Sequence, residues 1–373
     1  MFKISSSLLL HFTQNRFLNT ISTSTLPLPS VSTIQFLTNS CGLSSGSPTS
    51  SGRKLQFDEK RIQQYGAIIG FLKSYGFENP QIAKLVSRQP SILQSGVSKN
   101  LKPKFEFLQE IGFVGPLLPK VILSNPAILL RSLDSHLKPS FRLIKEMLKS
   151  DEQVTAAICR SSWLLTYDSK RVIKPNIDVL VNEGVPSRNL AKMIALNPRT
   201  IMQKVDRMIH AVKTVKELGV EPKDRVFGYA VSAVVSMSES AWKKKINVFK
   251  SLGWPENEIF KAFKTDPYIL ACSEAKIRDV VDFCFNTAKL DLGTVVSYPM
   301  LFRRSVDKRL QPRYKLLEVL KVKNLFKNKK IAWPLLVGER IFVEKYVVKH
   351  LDEIPNLMDI YRGNVAAETK SVL

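Results

Sequence analysis

One position recurs down this chain with a side chain suited to holding an anion. It is the residue just before the start expected for every second helix, and it reads Lys102, Lys138, Lys174, Asp206, Lys243, Arg278 and Gln311. Five of these seven are basic. Around them stand Lys99, Lys104, Lys170, Arg171, Lys204, Arg207, Lys244, Lys245, Lys276, Lys308, Arg309 and Arg313. A cation at a helix N-terminus is opposed by the helix dipole, at a cost of roughly 0.3–1 kcal/mol when exposed. A phosphate reverses the sign, because backbone N–H groups and an adjacent lysine both favour it. A column of such sites suits a polyanion backbone better than a small ligand. A second basic set, Arg88, Arg131, Arg160, Arg199, Lys264, Arg303 and Arg304, clusters near prolines and falls in no single column. Arginine there can hold a phosphate or a base edge. Trp163, Tyr268 and Tyr298 lie close by; core packing is the favoured role for each, base stacking the alternative.

The elements that carry these residues repeat. The segment Pro90-Ser91-Ile92-Leu93 returns at Pro126, Pro198, Pro267 and Pro299, and without its proline at Ser162 and Ser232. The steps between these markers are 36, 36, 36, 34, 35 and 32 residues, the signature of a stacked repeat array. In the first copy, Asn79-Pro80 opens a helix carrying Ile82, Leu85 and Val86, and Pro90 stops it. A polar loop over 94–100 leads to a second helix from Leu101-Lys102-Pro103, with Leu101, Phe105, Leu108 and Ile111 on one face. Gly112 ends it. The Phe105 column continues as Phe141, Ile177, Ile209, Ile246, Val281 and Tyr314, and capping glycines recur at Gly76, Gly184, Gly219 and Gly253. A helix pair of this size cannot bury its apolar face alone, so the fold class is all-α: an α-solenoid of seven to eight units, two helices and a short proline-started turn each, in a curved superhelix.

Composition agrees with a polyanion partner. The 373 residues hold 56 Lys+Arg against 32 Asp+Glu, a net charge of +24. No apolar run is long enough to span a membrane. The four cysteines form no Cys-x-x-Cys pair and the four histidines are scattered, so no metal site, cofactor or catalytic group is expected. Cys159 and Cys284 read as buried thiols. Residues 1–57 contain no Asp or Glu and are rich in Ser and Thr, the composition of an organelle transit peptide, mitochondrial by its Phe2, Lys3 and Arg16-Phe17-Leu18, with the chloroplast as the alternative. The repeat domain then occupies 58–363 and a disordered tail 364–373.

With its repeated Pro-x-Ile-Leu turns, its Leu-Lys-Pro-x-x-x-Phe-Leu second helices and its C-terminal Gly338-Glu339-Arg340-Ile341-Phe342, the chain resembles the mTERF family, the organellar transcription termination factors. The resemblance implies a positively charged path for nucleic acid and no enzymatic activity. It also implies a monomer that acts with organellar transcription or splicing proteins. Double-stranded DNA and transcription termination form the leading reading; RNA binding for intron splicing or rRNA maturation is the alternative. The residues expected to contact nucleic acid are Lys102, Lys138, Lys174, Lys243, Arg278, Arg131, Arg171, Arg199, Lys204, Arg303, Arg304 and Arg309. Missing prolines at Ser162 and Ser232, and Asp206, Asp279 and Gln311 at second-helix starts, interrupt the pattern.

Overall fold

The computed structural model describes residues 62–326 and 331–363, with the single residue Thr38. The expected transit segment (apart from Thr38) and C-terminal tail lie outside the described residues. Every described element is helical, and among the described residues there is no strand. The chain divides into two compact blocks: residues up to Phe107 with Val114–Leu130, and Leu108–Phe113 with everything from Arg131 onward.

In each block the repeat is a helix, a tight turn, and a second helix. The first-helix core residues Ile82, Leu85, Val86 and Ile158 are fully buried, as are the turn residues Ile92, Leu93, Ile128, Leu129, Ile269 and Leu270. The turn at Ser162–Leu165 forms without its proline. Repeat five differs: its first helix, Phe227–Val235, runs straight through the Ser232 position and makes no 3₁₀ turn. An eighth turn, Ala332–Leu336, succeeds the seventh and leads into the helix Glu339–Tyr346. At the other end the helix Ile62–Ser74 is a lone second helix that buries Tyr65, Ile68, Ile69 and Leu72.

The second helices begin earlier than the sequence suggests. In repeats one, two, three and seven a π-helical turn (Val97–Leu101, Leu133–Leu137, Ser169–Ile173 and Val306–Leu310) runs directly into the α-helix. These four repeats carry a proline in the second helix, at Pro103, Pro139, Pro175 and Pro312. Proline has no N–H and its ring clashes with the carbonyl four residues back, so a wider turn just ahead of it accommodates the ring. Repeats four, five and six lack that proline and start as α-helix at Val205, Glu239 and Glu274. In repeat four the core column lies three residues beyond the expected one. Ile209, expected in the core, is 50% exposed, while Met208, Val212 and Val215 are buried. The core column therefore passes through Val212, and the exposed column through Ile209 rather than Asp206.

All five predicted capping glycines, Gly76, Gly112, Gly184, Gly219 and Gly253, have positive φ. At Gly112 the pair of bonds that closes such a cap is complete: Gly112 N–H donates to Gln109 O (3.0 Å) and Phe113 N–H to Leu108 O (2.9 Å). Lys149 (φ 59°), Lys289 (φ 51°) and Asn324 (φ 56°) fill the same place in the other repeats.

Consecutive repeats are joined by a recurring polar contact. A donor in the second helix of one repeat reaches the end carbonyls of the next repeat's turn. In the N-terminal block Lys104 Nζ donates to Leu129 O (2.6 Å). In the C-terminal block Ser140 Oγ donates to Tyr167 O (3.4 Å) and Asn176 Nδ2 to Ile201 O (3.1 Å) and Gln203 O (2.7 Å). Arg207 Nη2 donates to Val235 O (2.7 Å), the end of the helix that replaces the turn of repeat five, and Lys245 Nζ to Cys272 O (2.5 Å). Arg313 Nη1 closes the series on Val337 O (2.6 Å). Turn carbonyls have no partner within their own short helix and must find one when buried.

Cysteine placement corrects one expectation. Cys284 is buried, but Cys159 is exposed, at the end of its helix next to Arg160; Cys272 is the second buried thiol. Burial pushes the Cys272 thiol up to about 11 and Cys284 to about 12.

Three measurements test this packing. Replacing Lys149 or Lys289 with glycine relieves an L-residue from the left-handed region and should stabilise the fold by roughly 0.5–1 kcal/mol each, read as a rise in Tm. Asn176→Ala strands two buried carbonyls and should destabilise by about 1–3 kcal/mol, with faster hydrogen exchange at Ile201–Gln203. Maleimide at neutral pH should label the peptide holding Cys159 and spare those holding Cys272 and Cys284 until the protein is unfolded.

Candidate nucleic-acid interface

Five of the seven second helices are capped by a side chain six residues beyond the marker, while Gly96 and Lys204 stand at that place in repeats one and four without such a bond. Ser132 accepts from Ser135 N–H (3.2 Å), Asp168 from Lys170 N–H (3.0 Å) and Arg171 N–H (2.8 Å), and Ser238 from Ala241 N–H (3.2 Å). Ser273 and Ser305 accept from Lys276 N–H (3.3 Å) and Lys308 N–H (3.2 Å). These helix ends are thus already occupied by their own oxygens. The Asp168 carboxyl sits below the usual carboxylate range because the Arg171 backbone N–H bonds it.

The lysine column lies deeper in the helices than the sequence suggests. Lys102, Lys138 and Lys174 come after the π turns, and Lys243 and Arg278 stand more than a turn inside their helices. Four of them face an acid one helical turn away on the same helix. Lys138 pairs with Asp134 at 2.7 Å, Lys174 with Asp178 at 2.9 Å, Lys243 with Glu239 at 2.6 Å, and Lys102, in the N-terminal block, with Glu106 at 3.8 Å. The pairs are solvent-exposed and therefore weak, and each lowers the local positive potential. Arg278 is exposed with no acid within 4.0 Å among the described residues.

The arginines near the turns separate into structural and surface groups. Arg309 is structural: Nη2 donates to Leu336 O (3.2 Å) and to Val337 O, and burial lowers its pKa. Arg304 is half-buried beside the hollow lined by Lys276, Asp279 and Ser305. Arg131, Arg171, Arg199 and Lys204 are exposed at turns and caps. Arg88, in the N-terminal block, donates to Leu123 O (2.9 Å).

Arg160, Arg199 and Arg303, which share no sequence column, come together in the structure. They line a groove of about 620 Å³ with Tyr229, Ser232, Ala233, Ser236 and Tyr268. The groove exists because repeat five makes no turn. Its helix forms a low floor between the turns of repeats four and six, and Ser232 is tied down to Gly228 O (2.7 Å) and to Thr200 Oγ1 (2.7 Å). Arg303 is fixed by Asp266, which is 3% exposed and accepts from Nε (2.6 Å) and Nη2 (2.5 Å). The guanidinium also lies over the Tyr268 ring at 5.2 Å. The expectation that Trp163 and Tyr268 pack in the core fails: they are 44% and 40% exposed. Their facing is set by their place at the exposed tip of a tight turn whose next two residues, Leu164-Leu165 and Ile269-Leu270, take the core. The repeated apolar pair after them is the signal that could have shown this.

The comparisons with known proteins agree with the repeat fold. The profile of the mTERF family matches residues 69–227 and 189–342, most of the helical array. A similar curated protein is the transcription termination factor MTERF8, chloroplastic, of Arabidopsis thaliana, 19% identical over 257 residues. That alignment takes in 69% of this chain and 50% of the relative, so the chain spans about half of that protein's length. Repeat period, proline turns, glycine caps and profile match converge: the chain belongs to the mTERF family.

Proposed function

We propose that this chain is a non-enzymatic organellar nucleic-acid-binding protein that regulates transcription, and that it grips its target along the turn edge of the C-terminal block. The observation that carries the reading is the groove in which Arg160, Arg199 and Arg303 converge on exposed tyrosines, with Arg303 held in place by a buried carboxylate. Arg303 is paired with Asp266, so the groove's uncompensated charge is that of Arg160 and Arg199, which suits a phosphate-bearing ligand. The net charge of +24 supplies the long-range attraction. Family membership supports action in an organelle, and the relative's name supports transcription termination; the mitochondrion is the compartment favoured by the N-terminal composition, the chloroplast the one in the relative's name.

Double-stranded DNA is the leading target. Arg131, Arg171, Arg199, Lys204 and Arg278 are then backbone contacts, with Lys102, Lys138, Lys174 and Lys243 contributing less because each already holds an acid. Arg309 contributes through the fold rather than by contact. A second reading, an RNA-binding factor in splicing or rRNA maturation, is favoured by the exposed rings of Trp163 and Tyr268.

Crosslinking of the tagged protein in isolated organelles tests the level of action. Recovery at discrete duplex sites that resist RNase supports the transcription reading, whereas recovery at introns or rRNA, lost with RNase, transfers the function to RNA processing. In vitro, changing Arg171, Arg199, Lys204 and Arg278 to glutamine should lower affinity and reduce the slope of log affinity against log salt by roughly one for each phosphate deprived of its cation. The triple change Lys138, Lys174 and Lys243 to glutamine should move the slope less. An unchanged slope in the first variant would remove those four residues from the interface. Arg309→Gln should instead lower Tm.

A further inference from the structure

The residue after each marker is the one its tight turn exposes. From repeat three to repeat eight it reads Trp163, Arg199, Ala233, Tyr268, Met300 and Trp333. Trp163, Tyr268, Met300 and Trp333 are 44%, 40%, 47% and 42% exposed, and Arg199 is exposed as well. Ala233, in the repeat without a turn, is small and buried. The turns of successive repeats in this block pack directly against one another, so the column runs from turn to turn with one side chain per repeat.

Large apolar side chains at one exposed position in repeat after repeat are not core packing. The core aromatics Phe249, Phe263 and Phe302 are fully buried. Scattered exposed apolar residues need no explanation, but a register-locked set does. These rings are also braced. Tyr167 meets Trp163 edge-on at 6.4 Å and 87°. Arg303, clamped by Asp266, covers one side of Tyr268 at 5.2 Å. Lys345 stands over Trp333 at 5.3 Å. Two of the three rings thus have a cation beside them and the remaining surface open to solvent.

We propose that this column is a stacking ladder for the unpaired bases of a single nucleic-acid strand, with one platform per repeat, a gap at Ala233, and Lys345 placed for the strand's phosphates. The proposal rests on the nucleic-acid reading above and commits this face to an unpaired strand. Every base has a π-face, so rings, guanidinium planes and a polarisable thioether accept successive bases without a sequence code. In a duplex those faces are already stacked on their neighbours and closed to the ladder. One base per helical repeat is a spacing that other helical arrays use for single strands.

The test uses the full chain and three labelled probes of one mixed sequence: single-stranded RNA, single-stranded DNA and duplex DNA, compared by fluorescence anisotropy at fixed salt. The expected result is single-strand binding that depends on the ladder residues, beside duplex binding that does not. Trp163→Ala, Tyr268→Ala and Trp333→Ala should each weaken single-strand binding roughly 5- to 150-fold with the salt slope unchanged. Trp163→Phe and Tyr268→Phe, which keep a ring, should recover most of the loss and also cover the case of an alanine variant that folds poorly. Equal affinity for RNA and DNA supports contact through base faces alone, and a preference for RNA supports the ladder with added 2′-OH contacts. Alanine variants that bind single strands as tightly as the parent, or a parent that binds the duplex and neither single strand, overturn the ladder while nucleic-acid binding stands. Binding to none of the three probes overturns both.

Discussion

The array depends on one buried exchange between neighbours: a side-chain donor from one repeat supplies the end carbonyls of the next repeat's turn. The turn is what lets the chain pass from first to second helix in so few residues, yet it leaves carbonyls facing inward. Leaving such a group unpaired costs about 1–3 kcal/mol. The chain meets that demand with four kinds of side chain, using Lys104, Ser140, Asn176, Arg207, Lys245 and Arg313. Except in repeat four, where Arg207 reaches from one helical turn earlier, what is fixed is the place of the donor and not its type. Repeat six has Val280 at this place; there the Cys272 thiol, in the turn itself, donates to Phe302 O at 3.5 Å instead. Burial lowers the pKa of Lys104 and Lys245, yet each remains a donor in either protonation state.

This exchange also explains why counting cations is a poor guide to the interface. Lys104, Lys245, Arg207, Arg309 and Arg313 are part of the positive charge seen in the sequence, but their heads are spent on backbone oxygens. Lys138, Lys174 and Lys243 are spent in part on carboxylates of their own helix. The cations left for a ligand are Arg278 of the column and those at the turn edge, which a column reading ranks second because they shift by a residue or more between repeats.

What could be read from the sequence obeys the same division. The period, the apolar columns and the glycine caps are set by local geometry, and they were legible: Gly112 and Gly184 need positive φ whatever surrounds them. The starts of the second helices were not. A proline at Pro103 or Pro139 looks like a first-turn residue, whereas here a π turn absorbs it in mid-helix. Repeat four has no proline to mark its second helix, and its core falls on Val212, three residues beyond the expected Ile209. The facing of Trp163, Tyr268 and Cys159 was also hidden, because it is decided by which neighbour of each residue takes the core. The cap serines were legible in principle, since Ser132, Ser238, Ser273 and Ser305 all stand six residues beyond a marker.

The departures from the repeat carry the most functional information. A perfect array would present the same edge everywhere. Repeat five loses its proline and its turn, and the straight helix Phe227–Val235 leaves a recess floored by Ala233 and Ser236. The walls come from repeats four and six, where Arg199 and Tyr268 stand at the tips of intact turns. Repeat three, by contrast, loses its proline and keeps its turn, so proline alone does not decide the shape. The difference lies in the next three residues. Ser162 precedes Trp163-Leu164-Leu165, with two large side chains to anchor a turn in the core. Ser232 precedes Ala233-Val234-Val235, where the small Ala233 takes the exposed tip of the turn into the interior and the helix simply continues. Repeat two keeps its turn with an equally small Ala127 because Pro126 starts it, so the groove follows from losing the proline and the anchoring leucines together.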